Sequence, residues 1–195
     1  MRKTNYISRM SDKDERLLYI AKNSYHLSRE QALSIVSKNR MDNYIKQGIF
    51  KKIYYILNQK QGVAYELTRK GRLFTLEHYP EFGKNFYTSG TAIHHDIRLA
   101  QSIIEYEREH GHTWLNERDL REMMMERIER EPIERRFELM GKIERGEISV
   151  TDGGYYVGEE LVLVETINEN YTSTLIAAKE EFSNYMSSSI NYVRQ

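Results

Sequence analysis

Apolar residues between positions 27 and 71 recur first at helical and then at strand spacing. Ala32, Leu33, Ile35 and Val36 form one stripe, and Met41, Tyr44 and Ile45 form a second at intervals of three and four. Ser28, followed three residues on by Gln31, has the form of a capping box and predicts a short helix beginning there. The second stripe predicts a helix over 38–47, ended by Gly48 as glycine ends helices elsewhere. The β-forming run Ile53 to Leu57, the polar turn Asn58 to Gly62, and then Val63, Tyr65 and Leu67 predict a hairpin. Thr68, opening the phrase LTRKG, predicts the cap of another helix. Upstream, Ser11-Asp12-Lys13-Asp14 resembles a cap, and Leu17, Leu18, Ile20 and Ala21 give the following helix a buried face.

Beyond residue 76 the pattern changes. Glu77 to Thr91, with Pro80, Gly83 and Gly90, predicts a connector. Ala92 to His110 carries apolar residues on more than one face, which predicts a largely buried helix. Trp114-Leu115 has the character of a short strand, and Asn116 to Arg130 of a charged helix holding Leu120, Met123, Met124 and Ile128. The run MMMERIEREPIERRF is solvated on most sides, and its apolar seam suits either a dimer contact or a lone surface helix. Ile148 to Val157 and Glu160 to Glu165 predict two strands joined at Gly158-Glu159, and Thr172 to Met186 predicts a closing helix. The expected fold class is α+β. It comprises a helical unit with a two-stranded wing over 1–78, a connector over 79–91, and a small α/β unit over 92–195.

The chemistry of the second helix directs the functional reading. At about 100° per residue, the side opposite its apolar stripe carries Asn39, Asn43 and Lys46, flanked by Arg40, Asp42 and Gln47. Amides, a guanidinium and an ammonium on one helix face can read base edges in a major groove. The ordered set of two helices, hairpin and LTRKG helix is the grammar of a winged helix-turn-helix. In that reading Asn39, Arg40, Asn43, Lys46 and Gln47 face bases. Lys38, Lys51, Lys52, Lys60, Arg69, Lys70 and Arg72 hold phosphates, and Ser28 joins the DNA-binding set. The basic residues of Met1 to Met10 are either an arm along phosphates or a frayed end.

Charge supports this division. The formal net charge is zero, yet residues 1–75 hold 16 Lys+Arg against 6 Asp+Glu, and residues 76–195 hold 13 against 23. A basic first half suits a phosphate-binding module, and an acidic second half would repel a polyanion. The chain contains no cysteine, which excludes disulfides, thiol catalysis and cysteine zinc sites. No apolar run approaches the roughly 18 residues that span a bilayer, and the N-terminus lacks a signal-peptide core. No membrane partner is expected, and a reducing cytoplasm is the expected compartment.

Candidate chemistry in the second half centres on Asp152 and Glu165, carboxylates on adjacent predicted strands that precede a helix. Such pairs hold Mg2+ or Mn2+ for phosphodiester hydrolysis, and they normally add a lysine two residues after the second carboxylate. That position is Ile167, and the next basic residue is Lys179 in the closing helix. Asp152-Gly153-Gly154 reads equally as a plain turn. His94, His95, Asp96, His110 and His112 have metal-binding atoms, but about sixteen helical residues span roughly 24 Å, so the two groups cannot share an ion. Nucleophile elbows, phosphate-binding glycine loops and dinucleotide fingerprints are absent from the sequence.

The order winged helix, HHDIRLAQ, WLNERDLRE, TDGGYYV, LVLVET and helix resembles the replication-relaxation proteins of plasmids and mobile elements. The resemblance covers nearly the whole chain and implies a second domain similar to the PD-(D/E)xK nuclease fold, which normally continues with a further strand and helix. On that pattern His94 matches the histidine opening the first helix, Asp152 the aspartate and Glu165 the second acidic residue. The missing lysine near Ile167, with Tyr171 following, is the departure, and it implies a nuclease-like scaffold used for dimerisation or partner binding. The expectation is a non-enzymatic, sequence-specific double-stranded-DNA regulator of transcription, replication or transfer. It acts as a homodimer without cofactor, with a replication or transfer protein as a further partner. The alternative is a metal-dependent nuclease or nickase with Asp152 and Glu165 as ligands. A third reading makes the winged helix a protein-interaction module alone.

Overall fold

The computed structural model describes residues 7, 9–57, 59–88, 93–167 and 171–194, so Asn58, Gly90 and most of the N-terminal arm lie outside the described residues. The chain divides into two units, residues 1–112 and residues 113–195. Among the described residues it is a mixed α+β protein with eight α-helices and two sheets.

The first unit begins with α1 (Asp12–Ser24), whose start is fixed by the Ser11 N–H and hydroxyl, both donating to Asp14. Leu17, Leu18 and Ile20 are fully buried, as their spacing requires. A three-residue strand β1 (His26–Ser28) then leads into α2 (Arg29–Ile35), with the predicted capping box between Ser28 and Gln31 formed in both directions. The next helix, α3 (Lys38–Lys46), is capped by Ser37 and buries Met41 and Tyr44, and Gly48 takes the left-handed conformation after it. The strands β2 (Phe50–Leu57) and β3 (Lys60–Leu67) form the hairpin, and β1 pairs antiparallel with β3 to give the order β1-β3-β2. No period in the sequence marks β1, because three residues are too few to show one.

The LTRKG phrase is a structural joint. Leu67 is buried, and Thr68 caps α4 (Arg69–His78) while its hydroxyl donates to the Gly48 carbonyl at 2.6 Å. Gly71 lies so close to the Ile49 carbonyl that a β-carbon there has no room. The expected connector is in part packed structure: Pro80–Phe82 make a 3-10 turn, Phe86 and Tyr87 are buried, and Tyr87 N–H donates to the Lys22 carbonyl at 2.9 Å. Helix α5 (Ile93–His110) follows and packs on α1 and β1. The domain boundary drawn at 78 and 92 is therefore corrected to 112, because α5 buries Leu99, Ala100 and Ile103 within the first unit.

The second unit contains β4 (Leu115–Asn116), α6 (Glu117–Glu129), α7 (Ile133–Glu144), β5 (Gly153–Val157), β6 (Glu160–Ile167), α8 (Ser173–Met186) and β7 (Ser189–Arg194). Its sheet runs β4-β5-β6-β7, antiparallel except for β6 and β7, which are parallel and joined through α8 as parallel neighbours require. Leu120, Met124, Ile128, Leu139, Leu163 and Phe182 fill the core between helices and sheet. Helix α7 and strand β7 were not predicted. In α7, Ile133 and Phe137 are 60% and 75% exposed, so its apolar residues do not share one buried face, and β7 is half-exposed throughout. Gly153 and Gly154 are strand residues and not the turn expected: Gly153 sits between Asn116 and Val164, under the Trp114 indole. Among the described residues no helix is long and apolar enough to cross a membrane.

Candidate functional site

Helix α3 presents two different edges. Lys38, Asn39 and Lys46 are exposed, and Asn43 and Gln47 are half-buried beside them. Arg40 stands about 100° round from Asn39, next to Tyr44, and faces inward. Its Nε donates to Asp14 Oδ1 and its Nη2 to Asp14 Oδ2, both at 2.7 Å, and Nη2 also reaches the Arg9 carbonyl. The Tyr44 hydroxyl donates to Asp14 Oδ1 at 2.9 Å, and the guanidinium lies over the Tyr44 ring at 5.6 Å. Asp14 is 1% exposed. Burial pushes its carboxyl up, but Arg40, Ser11 and Tyr44 together outweigh burial and hold it below the ordinary aspartate value. Arg40 is thus corrected from a base-reading group to the clamp that ties α3 to α1.

Ser28 is also corrected. It is buried, and its hydroxyl is occupied by the α2 cap, so it offers nothing to a ligand. On the hairpin, Lys52 and Lys60 are exposed, and Lys51 is exposed but pairs with Glu66 at 2.9 Å. At the start of α4, Arg69 is exposed, while Lys70 donates to the Gln47 carbonyl at 2.6 Å and so clasps the end of α3. Arg72 is half-buried over the Tyr25 and Phe86 rings. Lys51, Arg69, Arg72 and Glu66 line a shallow basin of about 350 Å³.

His26, His95 and His112 pack within the first unit, whereas His110 is exposed. His26, which the sequence reading did not single out, is buried with its Nδ1 at 2.7 Å from Asp96 Oδ2 and its Nε2 at 3.6 Å from Glu66. This links β1 to α5 and to β3. His95 is buried, His94 is half-buried, and His112 stacks on Tyr19 between Glu15 and Glu107. A buried histidine gives no period or motif, so only the structure reveals this pairing.

In the second unit the structure brings Asp152 and Glu165 together and adds Lys179. Glu165 Oε2 accepts the Asp152 N–H at 3.0 Å, and Asp152 Oδ2 accepts the Thr166 N–H at 2.8 Å. Lys179, from α8, lies 2.9 Å from Glu165 Oε1 and donates to the Val150 carbonyl at 2.6 Å. The Tyr171 hydroxyl donates to the same Oε1. Glu165 is fully buried, and its carboxyl is pushed up to about 7 by burial and then by Asp152, against the opposing pull of Lys179 and Tyr171. Asp152 and Glu165 offer the carboxylate oxygens that a divalent metal takes, whereas the Lys179 ammonium has no lone pair to coordinate one. Both oxygens of Glu165 are already engaged, Oε1 by Lys179 and Tyr171 and Oε2 by the Asp152 N–H. As it stands, the cluster cross-links β5, β6 and α8.

Compared with known proteins, the chain matches no family model, no curated protein and no solved structure.

Proposed function

We propose that the protein is a sequence-specific regulator of double-stranded DNA, acting in transcription, replication or transfer of a plasmid or mobile element through a winged helix-turn-helix. The observation that carries this reading is the outer face of α3, where Lys38, Asn39 and Lys46 are exposed beside a hairpin bearing exposed Lys52 and Lys60. Lys38 and Lys52 engage phosphates, and Asn39 and Asn43 read base edges. Arg40 positions the helix and touches no base. The acidic second unit serves self-association as a homodimer or contact with a replication or transfer protein. The test is a gel-shift titration of the protein against duplex fragments at several salt concentrations. The reading requires one fragment to be favoured and affinity to fall steeply with salt. Affinity that ignores salt leaves the winged helix as a protein-interaction module.

One observation favours a second reading, a metal-dependent DNA nuclease or nickase. Lys179 occupies from α8 the place beside Glu165 that Ile167 cannot fill. Asp152 and Glu165 would then hold Mg2+ or Mn2+, and Lys179 would sit beside the reacting water. The same incubations, run with either metal on a denaturing gel, decide it: new strand ends that Asp152→Asn abolishes establish the nuclease, and intact strands leave the regulator.

A further inference from the structure

The hairpin carries a feature that phosphate binding does not use. Ile56 is 78% exposed and Tyr54 is 65% exposed. They alternate with exposed Lys52 on one face of β2, an edge strand. An edge strand ending in bare apolar side chains is a liability unless it has an occupant. Cross-strand pairing places Tyr65 on the same face, where it lies within electrostatic reach of Arg29 and Glu30 of α2, Asp42 of α3, and Tyr54. The hairpin strands also pack directly on the two helices, β3 on α2 and β2 on α3, so the exposed pair stands on a hairpin mounted beside α3. On the other face the Tyr55 ring lies over Gly62.

We propose that the hairpin is a minor-groove wedge in which Ile56 and Tyr54 enter a base step and bend the duplex bound by α3. This rests on the regulator reading above. Charge favours DNA as the occupant, because exposed Lys52 shares the face of the apolar pair while exposed Lys60, opposite Leu57, stands at the hairpin tip on the other face, so that a phosphate wall on either side meets a cation. Apolar wedges of this kind partly unstack a step and turn the helix axis toward the major groove. The step that yields most readily is a flexible pyrimidine–purine step, so the wedge contributes sequence preference without a hydrogen bond to any base.

The test uses the full chain and a duplex of about 30 base pairs that the protein itself recovers from a random pool, labelled at both ends for energy transfer and carrying 2-aminopurine at the central step. Wild-type protein is expected to shorten the end-to-end distance and change the 2-aminopurine emission. Tyr54→Ser/Ile56→Ser is expected to bind about tenfold more weakly and leave the duplex straight, with unchanged thermal stability because both side chains are exposed. Tyr54→Phe/Ile56→Leu should keep the bend, and Lys60→Ala should weaken binding while keeping it. Wild-type binding to a duplex that stays straight overturns the wedge while sparing the regulator reading. A serine double variant that still bends DNA but loses self-association also overturns it, and assigns the patch to a second copy of the chain. Recovery of no duplex from the pool overturns the regulator reading and the wedge with it.

Discussion

Arg40 is the residue at which sequence and structure part most clearly. Its charge and position suggested base reading, yet a bidentate bond to a buried carboxylate 26 residues earlier holds it inward. The signal was present in Asp14, which no solvated cap needs to bury, but a pairing so distant in sequence has no period to reveal it. Arg40→Ala leaves Asp14 buried without its cation and should cost about 3 kcal/mol of stability in urea unfolding. Arg40→Lys should not restore it, because an ammonium cannot form both bonds. DNA sequence preference should be unchanged in whatever fraction stays folded. At Glu165 the direction is opposite. A carboxyl raised in the folded state favours folding at pH values where it is protonated, so its contribution is complete below the ordinary glutamate value. That contribution is lost as pH rises to about 7. Thermal scans of the protein from pH 4 to 8 should show a descending limb in this window that Glu165→Gln flattens.

Among elements, those with strong periods and caps were legible: α1, α2, α3, the hairpin, α4, α5, α6, β6 and α8 all stand close to where their residues predict. The failures share a cause. β1, β7 and α7 are short, half-exposed or apolar on the outer side, and their existence depends on partners distant in sequence. Gly153 and Gly154 look like a turn in the sequence because what crowds them, the Trp114 ring over Gly153 and the Val162 carbonyl beside Gly154, is distant along the chain. Two predictions belong at this scale. Lys38→Ala should weaken binding to all duplexes alike and reduce the salt slope by about one, whereas Asn39→Ala should relax preference at one base pair by about 1–3 kcal/mol. Gly71→Ala drives a methyl into the Ile49 carbonyl and should lower stability by about 2 kcal/mol or more, read by chemical denaturation.

For the whole molecule, charge divides the sequence into a basic and an acidic portion but does not mark where the first folded unit stops. Composition changes near residue 76, while packing continues through α5, because buried Asp96 and His26 need one another. A fragment of residues 1–112 should therefore unfold cooperatively on heating. A fragment of residues 1–78 removes the carboxylate beside buried His26 and the apolar face over α1, and should behave as unfolded chain by circular dichroism.

The fastening of α3 has a consequence for how such a protein diversifies. Ser37 at its start, Arg40, Met41 and Tyr44 along its inner edge, and Lys70 on its final carbonyl hold the helix in place. Lys38 and Asn39 lie outside that set of fixings. Under the proposed function, mutation at Asn39 would change which bases the helix reads, and mutation at Lys38 how tightly it holds the backbone, without loosening how the helix is mounted, like recutting a key whose bow stays the same. On that reading, new specificities would be one or two substitutions apart, with the intermediates between them still folded.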